Sequence, residues 1–204
     1  MHWRDIRLAA LLAAGALALA GCGSDGGSGS AKGGNGTDRA FVAAMVPHHR
    51  SAVEMATVAQ KKGKSPFVKK LAGDIIWTQK TEIATMGRED EGLDLAGVKP
   101  GRLDVPEHQM GMDDDPAMLR DARPFDRAFI DMMIPHHQGA IRMARVEMDK
   151  GSDPELKRLA GDIIDAQTRE IEEMNAHRKR AFGSTSPAGG VPAGGADHSM
   201  GQSG

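Results

Sequence analysis

The chain is poor in the groups that most often build protein chemistry. It holds one cysteine, no tyrosine, two tryptophans and five phenylalanines in 204 residues. With Cys22 as the sole thiol, no disulfide closes within the chain and no multi-cysteine metal cluster forms. A formal net charge of −2 supplies no basic field for nucleic acid. Long apolar runs are scarce as well: the run from Leu8 to Ala20 is too short to cross a bilayer comfortably. Methionine is abundant instead, with thirteen residues. Thioethers either fill space that aromatics often fill or bind a ligand, and composition alone does not separate the two.

Arg4 and Arg7 place a basic flank before the apolar run, the pattern of a targeting signal. The run closes on Leu19-Ala20-Gly21-Cys22, which resembles a bacterial lipobox. That resemblance implies a signal peptide over residues 1–21, cleavage before Cys22, lipid on its sulfur and a site outside the cytoplasm. An ordinary secretory signal leads to the same compartment. Residues 22–37 are rich in Gly and Ser and read as a flexible tether. Residues 183–204, rich in Gly, Ser and Pro, read as a disordered tail. Residues 38–182 remain for one domain.

That domain is written twice. Phe41-Val-Ala-Ala-Met45-Val-Pro47-His48-His49 returns as Phe129-Ile-Asp-Met-Met133-Ile-Pro135-His136-His137. Asp38, Gly63 and Pro66 match Asp126, Gly151 and Pro154, and the Leu-Ala-Gly-Asp-Ile-Ile run at 71–76 returns at 159–164. The offset of 88 residues never changes. A repeat of this length is one supersecondary unit that cannot bury its apolar face alone.

Each copy reads as two helices. Asp38 and Asp126 are expected N-caps, Gly63 and Gly151 stops, and Ser65-Pro66 and Asp153-Pro154 caps for the second helices. Helices over 38–62, 66–89, 126–150 and 154–182 give two αα-hairpins, and the two hairpins an all-α four-helix bundle. Repeat one spans 38–90 and repeat two 124–182, with a crossover over 91–123.

At about 100° per residue, Phe41, Met45, His48, His49, Ala52 and Met55 share one helical face, and Phe129, Met133, His136, His137, Ala140 and Met143 share its counterpart. Both histidine pairs therefore face the core with a thioether a turn away. Pro47 and Pro135 sit inside these helices, at a typical cost of ~3 kcal/mol each. A separate helix starting at each proline is the alternative. Glu82 and Glu170 lie on the core-facing side of the partner helices, where an unpaired carboxylate is costly. They are candidates to accept a hydrogen bond from a ligating imidazole or to bind an ion directly; an exposed pairing with Lys or Arg is the plainer reading.

Imidazole and thioether are borderline and soft ligands, so the pattern points to a metal, with copper leading: Cu(I) favoured by Met and Cu(II) accessible through His. Candidate ligands are His48, His49, His136, His137, Met45, Met55, Met133 and Met143, with Glu82 and Glu170. The crossover adds His108, Met110 and Met112, and the tail adds His198 and Met200. Simple packing for the methionines and solvated loops for the last two groups are the plainer alternatives.

The doubled Met-x-Pro-His-His-x-x-Ala-x-x-Met-Ala motif and the Leu-Ala-Gly-Asp-Ile-Ile-x-x-Gln-x-x-Glu-Ile-x-x-Met run resemble the ferritin-like bacterial family known as domain of unknown function 305, over about 38–174. The resemblance implies a secreted helical bundle, in some members tied to copper binding and resistance. It implies metal roles for Met45, His48, His49, Met55, Met133, His136, His137 and Met143. The leading expectation is a lipid-anchored protein that sequesters or hands on copper, its partners a metal ion and the membrane, without catalysis. Oligomeric state stays open, a homo-oligomer included. A structural or adaptor lipoprotein is the alternative. A ferritin-like di-iron oxidase is disfavoured because no Glu-x-x-His occurs in the chain; a copper oxidase is not excluded by the residues.

Overall fold

The computed structural model describes residues 33–112 and 115–194. The leader, Cys22 and the tail residues His198 and Met200 lie outside them. Four helices carry the fold: α1 (Gly36–Lys62), α2 (Pro66–Leu95), α3 (Phe125–Lys150) and α4 (Pro154–Phe182). Two 3-10 turns, Glu107–Gln109 and Pro116–Arg120, punctuate the crossover. There is no strand among the described residues, and no helix there is long and apolar enough to cross a membrane. Three-residue loops, 63–65 and 151–153, force α1 against α2 and α3 against α4, and α1 packs on α3.

Both internal prolines lie inside unbroken helices rather than at helix starts. Ser65 accepts from the Val68 N–H at the start of α2, and Asp153 from those of Glu155 and Leu156 at the start of α4. At Gly63 a Cβ would stand 2.6 Å from the Ala59 carbonyl oxygen, which explains why glycine ends α1. The second helix outruns its expected end near Glu89 and continues to Leu95. Arg39 of α1 holds that extension, bonding Asp90 at 3.2 Å and Asp94 at 2.8 Å while Leu93 is buried.

Asp38 and Asp126 are not the N-caps their position predicts. Asn35 caps α1, accepting from the Thr37 and Asp38 N–H groups, and Pro124 occupies the cap position of α3. Asp38 closes the α1 capping box from the N3 position by accepting from the Asn35 N–H, and both aspartates reach across to the opposite hairpin. Asp38 accepts from the backbone N–H groups of Ser152 and Asp153 at 3.0 and 2.9 Å. Asp126 accepts from those of Lys64 and Ser65 at 2.8 and 2.7 Å. Each copy thus latches the other's loop, one at each end of the bundle, as a pseudo-twofold requires. A cap serves its own helix alone; these carboxylates also join the halves.

The core follows the same symmetry. One apolar cluster holds Met55 of α1 with Phe129 and Met133 of α3. The other holds Phe41 and Met45 of α1 with Met143 of α3. Because α1 and α3 run in opposite directions, each cluster takes one methionine from the first half of a motif and one from the second half of its copy.

Residues 183–194 depart from the expected disorder. Arg178 is 2 % exposed, pairs with Asp131 at 2.6 Å and donates to the Ser184 and Thr185 carbonyls. Gln138 donates to the Ala188 and Gly190 carbonyls, Asn175 to Gly189, and Arg145 to Pro192 and Ala193. Small residues leave these carbonyls accessible, and long polar side chains on α3 and α4 collect them.

Glu147, fully buried beside Asp38, yields a pH prediction. Burial first, then the neighbouring Asp38 carboxylate, push its carboxyl from 4.5 up to about 8. Between those values the folded chain keeps a proton that the unfolded chain has lost. This group's contribution to stability is therefore complete below the unfolded value and is lost as pH rises through the folded one. Thermal unfolding followed from about pH 5 to about pH 8.5 should show a smaller loss in Glu147→Gln, whose amide stays neutral, than in the native chain.

Candidate metal centre

The histidine pairs meet where α1 crosses α3. His48, His49 and His137 are 0 % exposed and His136 is 2 % exposed. The His48 and His136 rings face each other across the pseudo-twofold with centroids 3.7 Å apart. His49 and His137 lie outward of that pair, 6.1 and 6.5 Å from their sequence neighbours. Each outer imidazole meets the glutamate of its own hairpin. His49 Nε2 is 2.7 Å from Glu82 Oε2, and His137 Nε2 is 2.5 Å from Glu170 Oε2. The exposed Lys or Arg pairing considered for the two glutamates is not what the structure shows.

These contacts orient the rings. A carboxylate accepts, so in the ionised pair the Nε2–H of His49 and of His137 donates. His48 Nε2 lies 3.0 Å from the Met110 carbonyl and donates to it. In all three rings Nδ1 is buried and has no hydrogen-bond partner, and His136 has none at either nitrogen. An imidazole whose Nε2 carries the proton presents a lone pair at Nδ1. With both glutamates ionised, the layer offers buried Nδ1 lone pairs backed by two carboxylates and a carbonyl, the support that ligating histidines commonly have.

Burial keeps His48, His49 and His136 neutral. It is the main reason that His48 and His49 are each lowered from 6.5 to about 3, with neighbouring imidazoles adding to it. His136 is lowered well below 6.5, again chiefly by burial. Glu82 is raised to about 8 by burial and by the charge of Glu170, against a lowering by His137. A cation beside the rings favours the carboxylate form and so strengthens the His49 contact.

Among the described residues, no three His, Cys, Asp or Glu side chains are gathered tightly enough to hold an ion as they stand. The reason is visible in the central pair. Two rings bridged by an ion ~2 Å from each nitrogen have centroids on the order of 6 Å apart, well beyond 3.7 Å. Binding at this layer requires His48 and His136 to part.

The thioethers sit in the adjoining layers. Met45, Met55, Met133 and Met143 are at most 1 % exposed, one pair in each apolar cluster. The crossover motif is divided: Met110 packs on the core while His108 and Met112 are exposed. Two features escaped the sequence reading. Gln79 and Gln167, three residues before the two glutamates, are buried. The crossover also presses on α3: a Cβ at Gly139 would lie 1.8 Å from the Met110 carbonyl oxygen, and one at Gly111 2.4 Å from that of Pro135. Ser51 stands at the position equivalent to Gly139, so the departure from the repeat was the available signal.

Residues 38–178 match the family described as "Domain of unknown function (DUF305)". The chain belongs to this family. Among solved structures it is similar to CopM in the Cu(I)-bound form, 34 % identical over 71 % of this chain and 97 % of that one, with a TM-score of 0.59. CopM in the Cu(II)-bound form is 36 % identical over 70 % and 96 %, at 0.59. A DUF305 fragment from Deinococcus radiodurans is 31 % identical over 72 % and 98 %, at 0.60. An uncharacterized protein of Acanthamoeba polyphaga mimivirus, L153, is 45 % identical over 51 residues, 25 % of this chain and only 34 % of that protein.

Proposed function

We propose that this DUF305 protein binds copper outside the cytoplasm, held to the membrane by lipid on Cys22, and sequesters or hands on the ion. The observation that carries the reading is the layer of four buried imidazoles whose Nδ1 atoms lack partners. In this reading His48, His49, His136 and His137 supply nitrogen ligands. Glu82 and Glu170 hold the outer rings in the ligating tautomer, and Met45, Met55, Met133 and Met143 supply soft sulfur for Cu(I) as the rings move. Copper-bound structures of CopM, at a third identity or more, support the same metal. The setting outside the cytoplasm is supported by the leader and by a similar DUF305 protein from Streptomyces coelicolor described as secreted, 27 % identical with a TM-score of 0.62.

No substrate or turnover is part of this role. Competition titration of the chain from residue 33 onward against chelators of Cu(I) tests it. The expected result is tight Cu(I) binding and weaker Zn(II) binding, because thioethers select the softer ion. Absence of binding favours the adaptor reading, in which the imidazoles only bond within the core.

A further inference from the structure

Two buried amides stand one turn from the glutamates of the histidine layer. Gln79 of α2 and Gln167 of α4 are 2 % and 3 % exposed. Gln167 lacks a hydrogen-bond partner at both side-chain atoms, and Gln79 lacks one at its oxygen. A buried amide without a protein partner is costly, and in native proteins such a group marks a place that water or an ion visits. The two are equivalents in the repeat. The charges of Glu170 and Asp162 on α4 reach Glu82, and that of Glu173 reaches Lys70. With α2 and α4 antiparallel, Glu82 beside Asp162 and Lys70 beside Glu173 set a register in which Gln79 and Gln167 fall within about one turn of each other.

Two other approaches to the layer are covered. Across α1 and α3 lies the crossover: His48 meets the Met110 carbonyl at 3.0 Å, and a Cβ at Gly139 would collide with that carbonyl. Along α3 and α4, residues 186–190 lie over the groove, held by Gln138 and Asn175. Between α2 and α4 the layer reaches water. The carboxylates that touch His49 and His137 keep 10 % and 18 % of their side-chain surface exposed, whereas both imidazoles keep none.

We infer that the seam between α2 and α4 is the passage by which a copper ion enters and leaves the histidine layer. Glu82 and Glu170 form its mouth, and Gln79 and Gln167 line the stretch between them. The inference rests on the copper reading. Its chemistry follows from desolvation: an ion that gives up water on the way into a core needs a donor in place of each water lost. Amide oxygens replace water without adding charge, so they ease passage without trapping the ion. The imidazoles and thioethers beyond them bind copper more strongly and draw it inward. Stability alone gives no reason for these amides, since hydrocarbon of like shape in their place is nearly neutral or stabilising.

The test separates rate from affinity. Uptake and release of Cu(I) by the full chain are timed by stopped flow against a chromophoric chelator, and the equilibrium affinity is titrated alongside. Gln79→Leu combined with Gln167→Leu should slow uptake and release alike by on the order of 10-fold, about what one lost polar contact to a charged group gives, and leave the affinity unchanged. A passage acts on both directions equally; a ligand does not. The unfolding temperature of this pair should stay or rise. Gln167→Leu alone, the milder change, is the second arm and should slow both rates by a common factor. Gln79→Asn with Gln167→Asn, which keeps the oxygens, should load at nearly the native rate. Arg142→Ala, which frees the Gln109 carbonyl and loosens the crossover, should leave the rates as they are. Faster loading in Arg142→Ala with native rates in the leucine variants places the entry under the crossover and overturns the inference. Lost affinity with unchanged uptake overturns it too, because the glutamines are then ligands. If the native chain takes up no Cu(I), the copper reading fails and the passage with it; native binding with unaltered rates in the leucine variants sinks the passage alone.

Discussion

Replacing His48, His49, His136 and His137 together with Ala should reduce the affinity of the buried layer for Cu(I) by well over about 100-fold. That figure is the upper range for losing one group that merely supports a ligand, and here the ligands themselves go. Glu82→Gln and Glu170→Gln give the contrast. Each keeps an oxygen near its imidazole but loses the charge that favours the Nε2–H form, so each should weaken binding about 10-fold to 100-fold. The ordering matters more than any single value: four histidines, then either glutamate, then the native chain. Four truncations also empty space in the core, so circular dichroism and thermal unfolding must show a folded variant. His48→Leu with His136→Leu, which refills the central pair with apolar bulk, serves as the second arm. It should remain folded and still lose the central ion. Native affinity in either folded variant contradicts the assignment.

The second large effect concerns the fold. Asp38→Ala removes an acceptor for the Ser152 and Asp153 N–H groups and strands the second of them in a buried position. Hydrogen bonds to charged acceptors contribute about 1.5–3 kcal/mol each, and a stranded buried donor costs a similar amount. A loss of about 3 kcal/mol in urea unfolding is expected. Asp126→Ala should cost a comparable amount through Lys64 and Ser65. The carboxylates lie at opposite ends of helices on the order of 40 Å long, so the losses should add. Replacing either residue with Asn, which keeps one acceptor oxygen, should lose less. A cap role would predict only ~1 kcal/mol and no involvement of the opposite loop.

Much of this architecture was legible in the repeat. Constant offset, matched Ser/Asp-Pro starts and matched glycine stops defined two hairpins before any coordinates. The wheel placed both histidine pairs and four methionines in the core, where the structure has them. What periodicity could not show is pairing across elements. The role of Asp38 was misjudged because a carboxylate near a helix start satisfies the capping pattern whether it serves its own helix or another loop. The docking of residues 183–194 was missed because composition reports on side chains, and this segment is held by its carbonyls. Likewise, the Met110 carbonyl over His48 left no mark in residue type; only glycine at 139, against serine at 51, hinted at a close approach. The close approach of His48 to His136 depends on how α1 crosses α3, which one helix at a time does not specify.

Copper-edge X-ray absorption on the Cu(I)-loaded chain tests the central claim most directly, because it counts nearest neighbours by element. With the candidate ligands of the crossover and tail, His108, His198 and Met200, replaced by Ala, the remaining copper should show imidazole nitrogens at ~2 Å together with thioether sulfur near 2.3 Å. A spectrum without imidazole nitrogen, or one with oxygen neighbours alone, would place the ion elsewhere and contradict the account.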